Sequence, residues 1–255
     1  MKQVDYVWRL FSTALCLTAF GVGGLVISVI VSPLIFLLVR DPANRQRTTR
    51  RMAGYLFVVF LWMMKGTGVL SYRITGMENV RHGHNKLIIA NHPTLIDVIF
   101  LVSLFPMADC VVKDDVFKNP VMRGVVKPAR YISGGHPGKM INTCVDRLKT
   151  GSSLLLFPEG TRSVYGQPVQ FKLGASSIAI RSEAVFLPVV IQCTQPRYLA
   201  KNEPWYKIPP QKPFISIHVK EPVSVDELIP HDMNPHESKR WLNKSLMRYF
   251  EERLG

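Results

Sequence analysis

The chain has 255 residues, with 32 Lys and Arg against 18 Asp and Glu, so its formal net charge is +14. Hydrophobic residues make up 47% of it, which is enough to bury a sizeable core and excludes a disordered chain. Charges are frequent after residue 40, and the moderate mean hydropathy excludes a polytopic transporter. A basic, mildly hydrophobic chain fits either nucleic acid or an anionic membrane surface as its partner.

A long apolar stretch fills most of the N-terminal region. Residues 10–39 carry no charge, and a helix of that length would measure about 45 Å, more than the roughly 30 Å of a bilayer core. The glycines at 21, 23 and 24 and Pro33 predict that the helix is kinked or divided. The stretch is too long for a signal peptide, and no small-x-small cleavage site follows it. We therefore predict an uncleaved membrane anchor.

Five arginines and a second apolar run follow the anchor. The arginines lie between residues 40 and 51, with Asp41 as their only acidic neighbour. Excess positive charge beside a span marks its cytoplasmic side, so the rest of the chain is expected in the cytoplasm, at a bacterial-type inner membrane. The run at residues 52–64 is short for a span and predicts an interfacial helix, with a buried core helix as the alternative. Residues 1–66 are assigned to this membrane segment and residues 67–255 to a second domain.

The second domain alternates short β-type runs with helical patterns. Strands are predicted at residues 69–75, 86–90, 110–112, 153–157, 186–192 and 214–219. Helices are predicted at residues 95–105, 138–149 and 172–182, and at the C-terminus after an N-cap at Asn234. This alternation predicts an α/β fold with a central, mostly parallel or mixed sheet flanked by helices.

The first candidate for chemistry is the segment N-H-P-T-L-I-D at residues 91–97, directly after a predicted strand. Pro93 holds His92 extended at the strand end and begins a helix. Asp97 lies one turn into that helix, and helical side chains tilt towards the N-terminus, so its carboxylate can reach the imidazole. A carboxylate in that position makes the histidine a better base. The alternative is a helix-capping Asp beside a structural His.

The second candidate is F-P-E-G-T-R-S at residues 157–163, at the end of another predicted strand. Ligands of open α/β sheets bind at the carboxyl ends of strands. Gly160 permits a tight turn, Thr161 offers a hydroxyl, and Arg162 offers a bidentate fork to a phosphate. Glu159 is expected to orient Arg162 or a substrate hydroxyl, because an unpaired buried carboxylate is costly. The alternative is a strand-end turn with a solvated salt bridge.

Together, N-H-x-x-x-x-D and, about sixty residues later, F-P-E-G-T-R-S resemble the glycerolipid acyltransferase family, whose best-known members are the 1-acylglycerol-3-phosphate acyltransferases. The resemblance covers about residues 67–220. F-K-L-G-A at 171–175 and L-P-V-V at 187–190 look like later motifs of the family. K-P-A-R-Y-I at 127–132 stands in the place of the second motif, although it matches that motif loosely.

The resemblance implies transfer of a fatty acyl group from a thioester, of acyl carrier protein or of coenzyme A, to the hydroxyl of a lysophospholipid. The first expected acceptor is 1-acylglycerol-3-phosphate, giving phosphatidate; an ornithine lipid or a specialised polyene or glycolipid acceptor stays open. His92 would be the base and Asp97 its orienting partner. Membrane lipids are the expected surroundings, and no metal, further cofactor or nucleic acid is implied. The remaining residues are assigned to the acceptor's head group: Glu159, Gly160, Thr161, Arg162, Arg130 and Lys172.

Three other interpretations compete with this one. A serine hydrolase lacks its G-x-S-x-G elbow in this sequence. A basic protein that binds nucleic acid without catalysis leaves the apolar anchor unexplained, and no RRM, KH or helix-turn-helix signature is present. A non-catalytic membrane scaffold of the same fold would have little reason to carry His92, Asp97 and the E-G-T-R run intact.

Overall fold

The computed structural model describes residues 2–80, 85–230 and 233–254. Within these ranges a seven-stranded mixed sheet lies between layers of helices. The predicted α/β class, with a central, mostly parallel or mixed sheet, is therefore confirmed. The strands are β1 Ser71–Thr75, β2 Lys86–Ala90, β3 Asp109–Val112, β4 Ile132–Ser133, β5 Leu154–Leu156, β6 Val185–Cys193 and β7 Phe214–Val219.

The strand order across the sheet is β1-β7-β6-β2-β5-β3-β4. Strands β2 to β6 run in one direction, whereas β7 is antiparallel to β6 and β1 is parallel to β7. The carboxyl ends of β2 and β5 are neighbours, because Ile89 pairs with Leu156. The two segments singled out in the sequence therefore leave the sheet side by side.

The helices connect these strands or precede them. Every helix predicted in the second domain is present, with ends shifted by a few residues. The helices are α1 Lys2–Val26, α2 Ser32–Leu38, α3 Pro42–Gly66, α4 Met77–Val80, α5 Asp97–Leu104, α6 Asp114–Lys118, α7 Arg123–Val126, α8 Pro137–Lys149, α9 Gly174–Ser182, α10 Val225–Leu228 and α11 Pro235–Leu254. The C-terminal helix begins as predicted, with the side chain of Asn234 accepting a hydrogen bond from the backbone N–H of Glu237 (3.0 Å).

The two faces of the sheet are covered by different helices. Side chains alternate between the faces along each strand. Ile88, Leu155 and Leu187 lie in one apolar cluster with α3 and α5, while Leu87 and Leu154 lie in the other with α8, α9 and α11. Strand β2 is buried along its whole length, as its unbroken K-L-I-I-A run predicts for a central strand covered on both faces.

The apolar N-terminus is one long helix that lies alongside the domain. A π-helical turn at Ile27–Val31 joins α1 to α2 just before Pro33, so the proline produces an irregular turn and no break. Residues Gln3–Leu38 are long and apolar enough to cross a membrane. Near its beginning, the Trp8 indole donates to the carbonyl of Thr67 (3.0 Å). Near its end, the Ser28 hydroxyl accepts from the backbone N–H of Gly124 (3.0 Å).

Helix α3 has one face in the core and one face in solvent. Phe60, Leu61 and Met64 are buried in the same cluster as the strands, whereas Tyr55 and Trp62 are exposed. The helix thus has the buried face of the core-helix alternative together with the exposed apolar face of an interfacial helix. The boundary between the two segments at residues 66 and 67 stays a prediction.

The basic cluster at residues 40–51, most of which lies in the first turns of α3, has an internal role that the sequence did not predict. Arg50 is buried and forms an ion pair with Asp109 of β3. Its guanidinium also donates to the carbonyls of Ala129 (2.9 Å) and Met107 (2.7 Å). Arg45 donates to the carbonyl of Val39 (3.1 Å) just past α2. These two arginines therefore hold the fold together, and the exposed members of the cluster are Arg40, Arg47 and Arg51.

Candidate active site

The site is built from the loops that follow β2 and β5. Because these strands are adjacent and parallel, His92 and Glu159 emerge from the same edge of the sheet. The backbone N–H of His92 donates to Oε1 of Glu159 (2.9 Å), and the backbone N–H of Ser163 donates to the carbonyl of His92 (2.7 Å). The two segments are thereby joined into one surface.

His92 and Asp97 form the predicted pair. Nδ1 of His92 lies 2.9 Å from Oδ2 of Asp97, and the Asp97 side chain is fully buried while the imidazole keeps 17% exposure. With Nδ1 facing a carboxylate, the neutral imidazole carries its proton there and leaves Nε2 with a free lone pair. The ring stacks on Phe157, with centroids 4.1 Å apart, which fixes its orientation. This geometry is that of a general base.

Thr94 provides two further hydrogen bonds to the Asp97 carboxylate. Its backbone N–H donates to Oδ2 of Asp97 (2.7 Å), and its hydroxyl donates to Oδ1. The carboxylate therefore has three donors although it is out of contact with water, which offsets the cost of burying its charge. Asp97 is the first residue of α5, and its carboxylate holds both His92 and the turn at Thr94 that precedes the helix. Sequence reasoning missed Thr94, although it lies only three residues before Asp97.

Asn91 fixes the end of β2 against β6. Its side-chain amide donates to the carbonyl of Ile191 (2.7 Å), and its side-chain oxygen accepts from the backbone N–H of Ile191 (2.8 Å). Asn91 is buried, so these bonds satisfy groups that water does not reach. The position of His92, the next residue, is thus set by two strands.

Glu159 is a buried carboxylate that supports the site. Its Oε1 accepts from the backbone N–H of His92 and from the hydroxyl of Ser163 (2.7 Å). Burial raises the pKa of Glu159 above its ordinary value, and the two hydrogen bonds oppose that rise. Glu159 was expected to orient Arg162 or a substrate hydroxyl; in this structure it orients the backbone of His92. Ser163 belongs to the same motif as Glu159, and its backbone bond to His92 becomes apparent only when the fold brings the two loops together.

Two substitutions of Glu159 are expected to distinguish its role as a hydrogen-bond acceptor from the role of its negative charge. Glu159→Ala removes the acceptor of the His92 N–H and should lower kcat about tenfold or more, because a misplaced base loses its alignment. Glu159→Gln keeps an oxygen acceptor and should retain most of the activity. Steady-state rates of both variants would check this, with thermal unfolding as the control for folding. Equal losses in the two variants would contradict a positioning role.

Gly160, Thr161 and Lys172 lie in and around one turn. Gly160 has φ +67°, in the left-handed region that favours glycine, and its backbone is exposed. A Cβ at this position would lie 2.8 Å from Nζ of Lys172, so the lysine side chain crosses the turn directly. The backbone N–H of Lys172 donates to the carbonyl of Pro158 (2.9 Å), and Thr161 is half-buried beside it. The structure brings these predicted residues together with Glu159.

Arg162 is partly committed to the protein itself. Its Nη1 donates to the carbonyls of Leu199 (2.9 Å) and Ala200 (2.8 Å), and the Leu199 carbonyl also accepts from the backbone N–H of Leu95 (3.0 Å). Within residues 2–80, 85–230 and 233–254, the structure gives Nε and Nη2 of Arg162 no hydrogen-bond partner. One edge of the guanidinium therefore fastens the 198–200 segment to the site, and the other can bind a ligand.

Arg130 does not join this group. It precedes the edge strand β4, and β4 is separated from β2 by β5 and β3, about 14 Å at the usual strand spacing. Its side chain lines a different cavity, together with Ser133 and Lys139. The place at the carboxyl end of β4 is taken by Ser133 and the following Gly134. Among the described residues, no group of three or more His, Cys, Asp or Glu side chains is arranged to hold a metal ion.

Part of the chain is similar in sequence to known acyltransferases. Residues 71–192 match the family model described as Acyltransferase. The chain is 28% identical over 167 residues to the chloroplastic 1-acyl-sn-glycerol-3-phosphate acyltransferase LPAT1 of Arabidopsis thaliana, covering 62% of this chain and 45% of that protein. It is 27% identical over 165 residues to the 1-acyl-sn-glycerol-3-phosphate acyltransferase of Helicobacter pylori, covering 62% and 65%. The chain spans about half the length of the chloroplastic relatives, 45% of the Arabidopsis protein and 54% of its Brassica napus counterpart.

A solved structure shares the whole fold. The crystal structure of the 1-acyl-sn-glycerophosphate acyltransferase PlsC from Thermotoga maritima superposes with a TM-score of 0.70 at 19% identity. The superposition covers 99% of this chain and 98% of the other. At this identity the likeness shows that the two chains share a fold, including the N-terminal helices.

Proposed function

We propose that this chain is a glycerolipid acyltransferase that moves a fatty acyl group from a thioester to the hydroxyl of a lysophospholipid; the match of residues 71–192 to the Acyltransferase family model and the similarity to 1-acyl-sn-glycerol-3-phosphate acyltransferases support this. The single observation that carries the proposal is the buried Asp97 that holds Nδ1 of His92 while Nε2 stays free. Such a base needs a nucleophile with a removable proton, and the acceptor hydroxyl supplies it.

The reaction then follows from the pair. Nε2 of His92 takes the proton of the acceptor hydroxyl as its oxygen forms a bond to the thioester carbonyl carbon. Asp97 stabilises the resulting imidazolium, as a buried carboxylate on Nδ1 does in hydrolase triads. The tetrahedral intermediate expels the thiolate, which takes the proton back from His92, so ester and thiol leave with the enzyme unchanged. No covalent acyl-enzyme forms.

The acceptor's polar head belongs at the turn after β5. The uncommitted edge of Arg162 and the ammonium of Lys172 over Gly160 provide positive charge beside His92, which suits a phosphate. This favours 1-acylglycerol-3-phosphate as acceptor and phosphatidate as product. An ornithine lipid or a glycolipid lacks that phosphate and would use this charge less well.

The test is a panel assay with the purified full-length chain in detergent or vesicles. Each lyso-lipid acceptor is combined with the acyl carrier protein thioester and with the coenzyme A thioester, and products are identified by mass spectrometry. We expect phosphatidate from 1-acylglycerol-3-phosphate with at least one donor. Transfer only to a non-phosphorylated acceptor would refute the head-group assignment, and no transfer with any pair would refute the function.

The same proposal includes a position at the membrane surface, on the cytoplasmic side of an inner membrane. Exposed apolar side chains line the outer face of the N-terminal helix, among them Phe11, Val29 and Leu37, and Trp62 adds to them from α3. Because the N-terminal helix contacts the domain near both Trp8 and Ser28, it lies along the domain and does not project from it. An apolar face held in this way suits insertion into one side of a bilayer, next to lipid substrates.

Trp62→Ser is expected to weaken binding to vesicles about tenfold, because an apolar side chain exposed to 75% in the free protein would lose its burial in lipid. Co-sedimentation with vesicles that contain an anionic phospholipid measures the effect. The matched control is Met77→Ser. It replaces an exposed apolar residue that follows the carboxyl end of β1, on the side of the sheet opposite to the candidate active site. Equal effects of the two substitutions would contradict the proposed face.

A further inference from the structure

A cavity of about 370 Å³ opens on the same side of the sheet as the candidate active site, at the carboxyl ends of the parallel strands. Its walls include Asp114, which follows β3, and Ser133, the last residue of β4. Since β2 to β5 are parallel, residues that follow their carboxyl ends all lie at one edge. The cavity and His92 therefore both lie at the carboxyl ends of the parallel strands, but beside different strands.

Three fixed positive charges line this cavity. Lys139 and Arg147 lie on one face of α8, two turns apart, and Arg130 faces them from the segment before β4. In the part of the chain that the structure describes, none of the three side chains has an ion pair or a hydrogen bond. Cations that line a cavity without a protein partner indicate an anionic ligand, and the guanidinium fork of arginine matches the oxygens of a phosphate in a bidentate way.

The carboxylate of Asp114, which also lines the cavity, already has hydrogen-bond partners within the protein. The carboxylate of Asp114 accepts hydrogen bonds from the hydroxyl of Ser133 and from the backbone N–H of Gly135 (3.1 Å). It therefore serves the loop after β4 and is not paired with any of the three cations. The cavity keeps an excess of positive charge.

The backbone of Arg130 supports the same interpretation. Its φ is +55°, in the left-handed region, where a residue with a side chain is strained. Glycine would relieve that strain, yet an arginine stands here with its side chain at the cavity. Strain of this kind is retained where a side chain is needed at a particular place.

The distance between the cavity and His92 indicates whether the phosphate of the donor or that of the acceptor can bind in the cavity. Three strand spacings, about 14 Å, separate β4 from β2. In the acceptor, the phosphate is only a few bonds from the reacting hydroxyl, so it cannot reach this cavity while the hydroxyl is at His92. In the donor, the phosphate lies at the far end of the pantetheine arm, which is long enough to extend from the thioester at His92 to the cavity.

Resting on the proposed function, we propose that this cavity binds the phosphate end of the acyl donor, with Arg130, Lys139 and Arg147 as its ligands. The ligand chemistry is a phosphate ester of pantetheine, which acyl carrier protein and coenzyme A both carry. Donor and acceptor phosphates thus bind at separate basic sites on either side of the reacting atoms.

The variant Lys139→Gln/Arg147→Gln tests the proposal, since it leaves the backbone and the His92 site untouched. The KM for the thioester should rise about tenfold or more, because charge-assisted hydrogen bonds to the phosphate are lost. The KM for the lysophospholipid should stay within about twofold. Lys149→Gln, at the exposed end of the same helix and outside the cavity, is the matched control.

Both thioesters are assayed. A rise with both supports the pantetheine phosphate as the ligand of the cavity; a rise with only one of the two donors overturns it, because both donors carry that group. An unchanged donor KM with both, or a rise in the acceptor KM instead, overturns the proposal.

A binding measurement separates this proposal from the proposed function. Free coenzyme A is titrated calorimetrically into the full-length wild type and into the double variant. Weaker binding by the variant supports the cavity even if the wild type transfers no acyl group. Equal binding, in an enzyme whose donor KM is also unchanged, counts against the cavity while the transferase function stands.

Discussion

His92→Ala is expected to lower the rate of acyl transfer about 10²- to 10⁴-fold, the range by which a positioned general base accelerates a reaction. The loss should appear in kcat, because the imidazole acts when the hydroxyl proton moves and contributes little to holding the lipid. Rates with saturating thioester and 1-acylglycerol-3-phosphate measure the effect. Activity within a few-fold of the wild type would exclude His92 as the base.

The structure predicts that this variant still folds. It is the backbone N–H of His92, retained by alanine, that donates to Glu159. Asp97 loses one donor but keeps the backbone N–H and the hydroxyl of Thr94. The stacking on Phe157 disappears as well, so we expect a loss in stability of about 1–3 kcal/mol, from the aromatic contact and from the donor that the buried Asp97 loses. Vesicle binding should be unchanged.

Two further variants sharpen the assignment. Asp97→Asn should cost about as much as loss of the base, since an amide on Nδ1 favours the wrong tautomer; the corresponding change in a serine protease costs about 10⁴-fold. His218→Ala is the control: this histidine of β7 has Nδ1 2.7 Å from the hydroxyl of Thr75, away from the site. Its replacement should leave the rate within about twofold.

Arg50→Met is expected to destabilise the fold by about 3–5 kcal/mol, the usual cost of breaking a buried ion pair from one side. Asp109 would keep a buried charge with no counter-ion, and its Oδ2 already has no hydrogen-bond partner among the described residues. The carbonyls of Met107 and Ala129 would lose their donor as well. For a chain of this size the thermal midpoint should fall by roughly 10 °C or more.

The contributions of charge and of hydrogen bonding can be separated. Arg50→Met/Asp109→Leu removes both charges and should recover part of the loss, but not all of it, because the buried carbonyl of Ala129 and the partly buried carbonyl of Met107 stay without a donor. Arg51→Met replaces the exposed neighbour and should change the stability by less than about 0.5 kcal/mol. If Arg50→Met and Arg51→Met unfold at the same temperature, Arg50 does not have the structural role described.

Most local features of this protein were predictable from the sequence. The K-L-I-I-A run is a strand buried on both faces, and the alternation of F-I-S-I-H-V appears in β7 as alternate burial. The pairing of His92 with Asp97 was predictable because the two residues are only five apart in the chain, although the helix expected from Pro93 begins at Asp97 and a non-helical turn joins the pair. Thr94 belongs to the same local pattern and could have been found with it.

Contacts between distant segments were not predictable in this way. Nothing local to Arg50 distinguishes it from Arg51, yet one is buried against Asp109 and the other is exposed. Arg130 was assigned to the acceptor from its place in a loosely matched motif, whereas strand order puts it three strands from His92. Arg162 looked like a free phosphate fork, and only the fold brings the carbonyls of Leu199 and Ala200 to one of its edges.

The sequence by itself determined the class of fold, the apolar N-terminus and the two segments that carry the chemistry, because each depends on hydrogen-bonding and apolar periods that repeat within a few residues. The tertiary structure alone decided that β2 and β5 are neighbours, that Glu159 holds the backbone of His92, and that the basic residues divide between two sites. Those arrangements depend on how separate elements pack around one buried core. The free energy of that packing comes from contacts between distant segments, so no single stretch of the chain determines it.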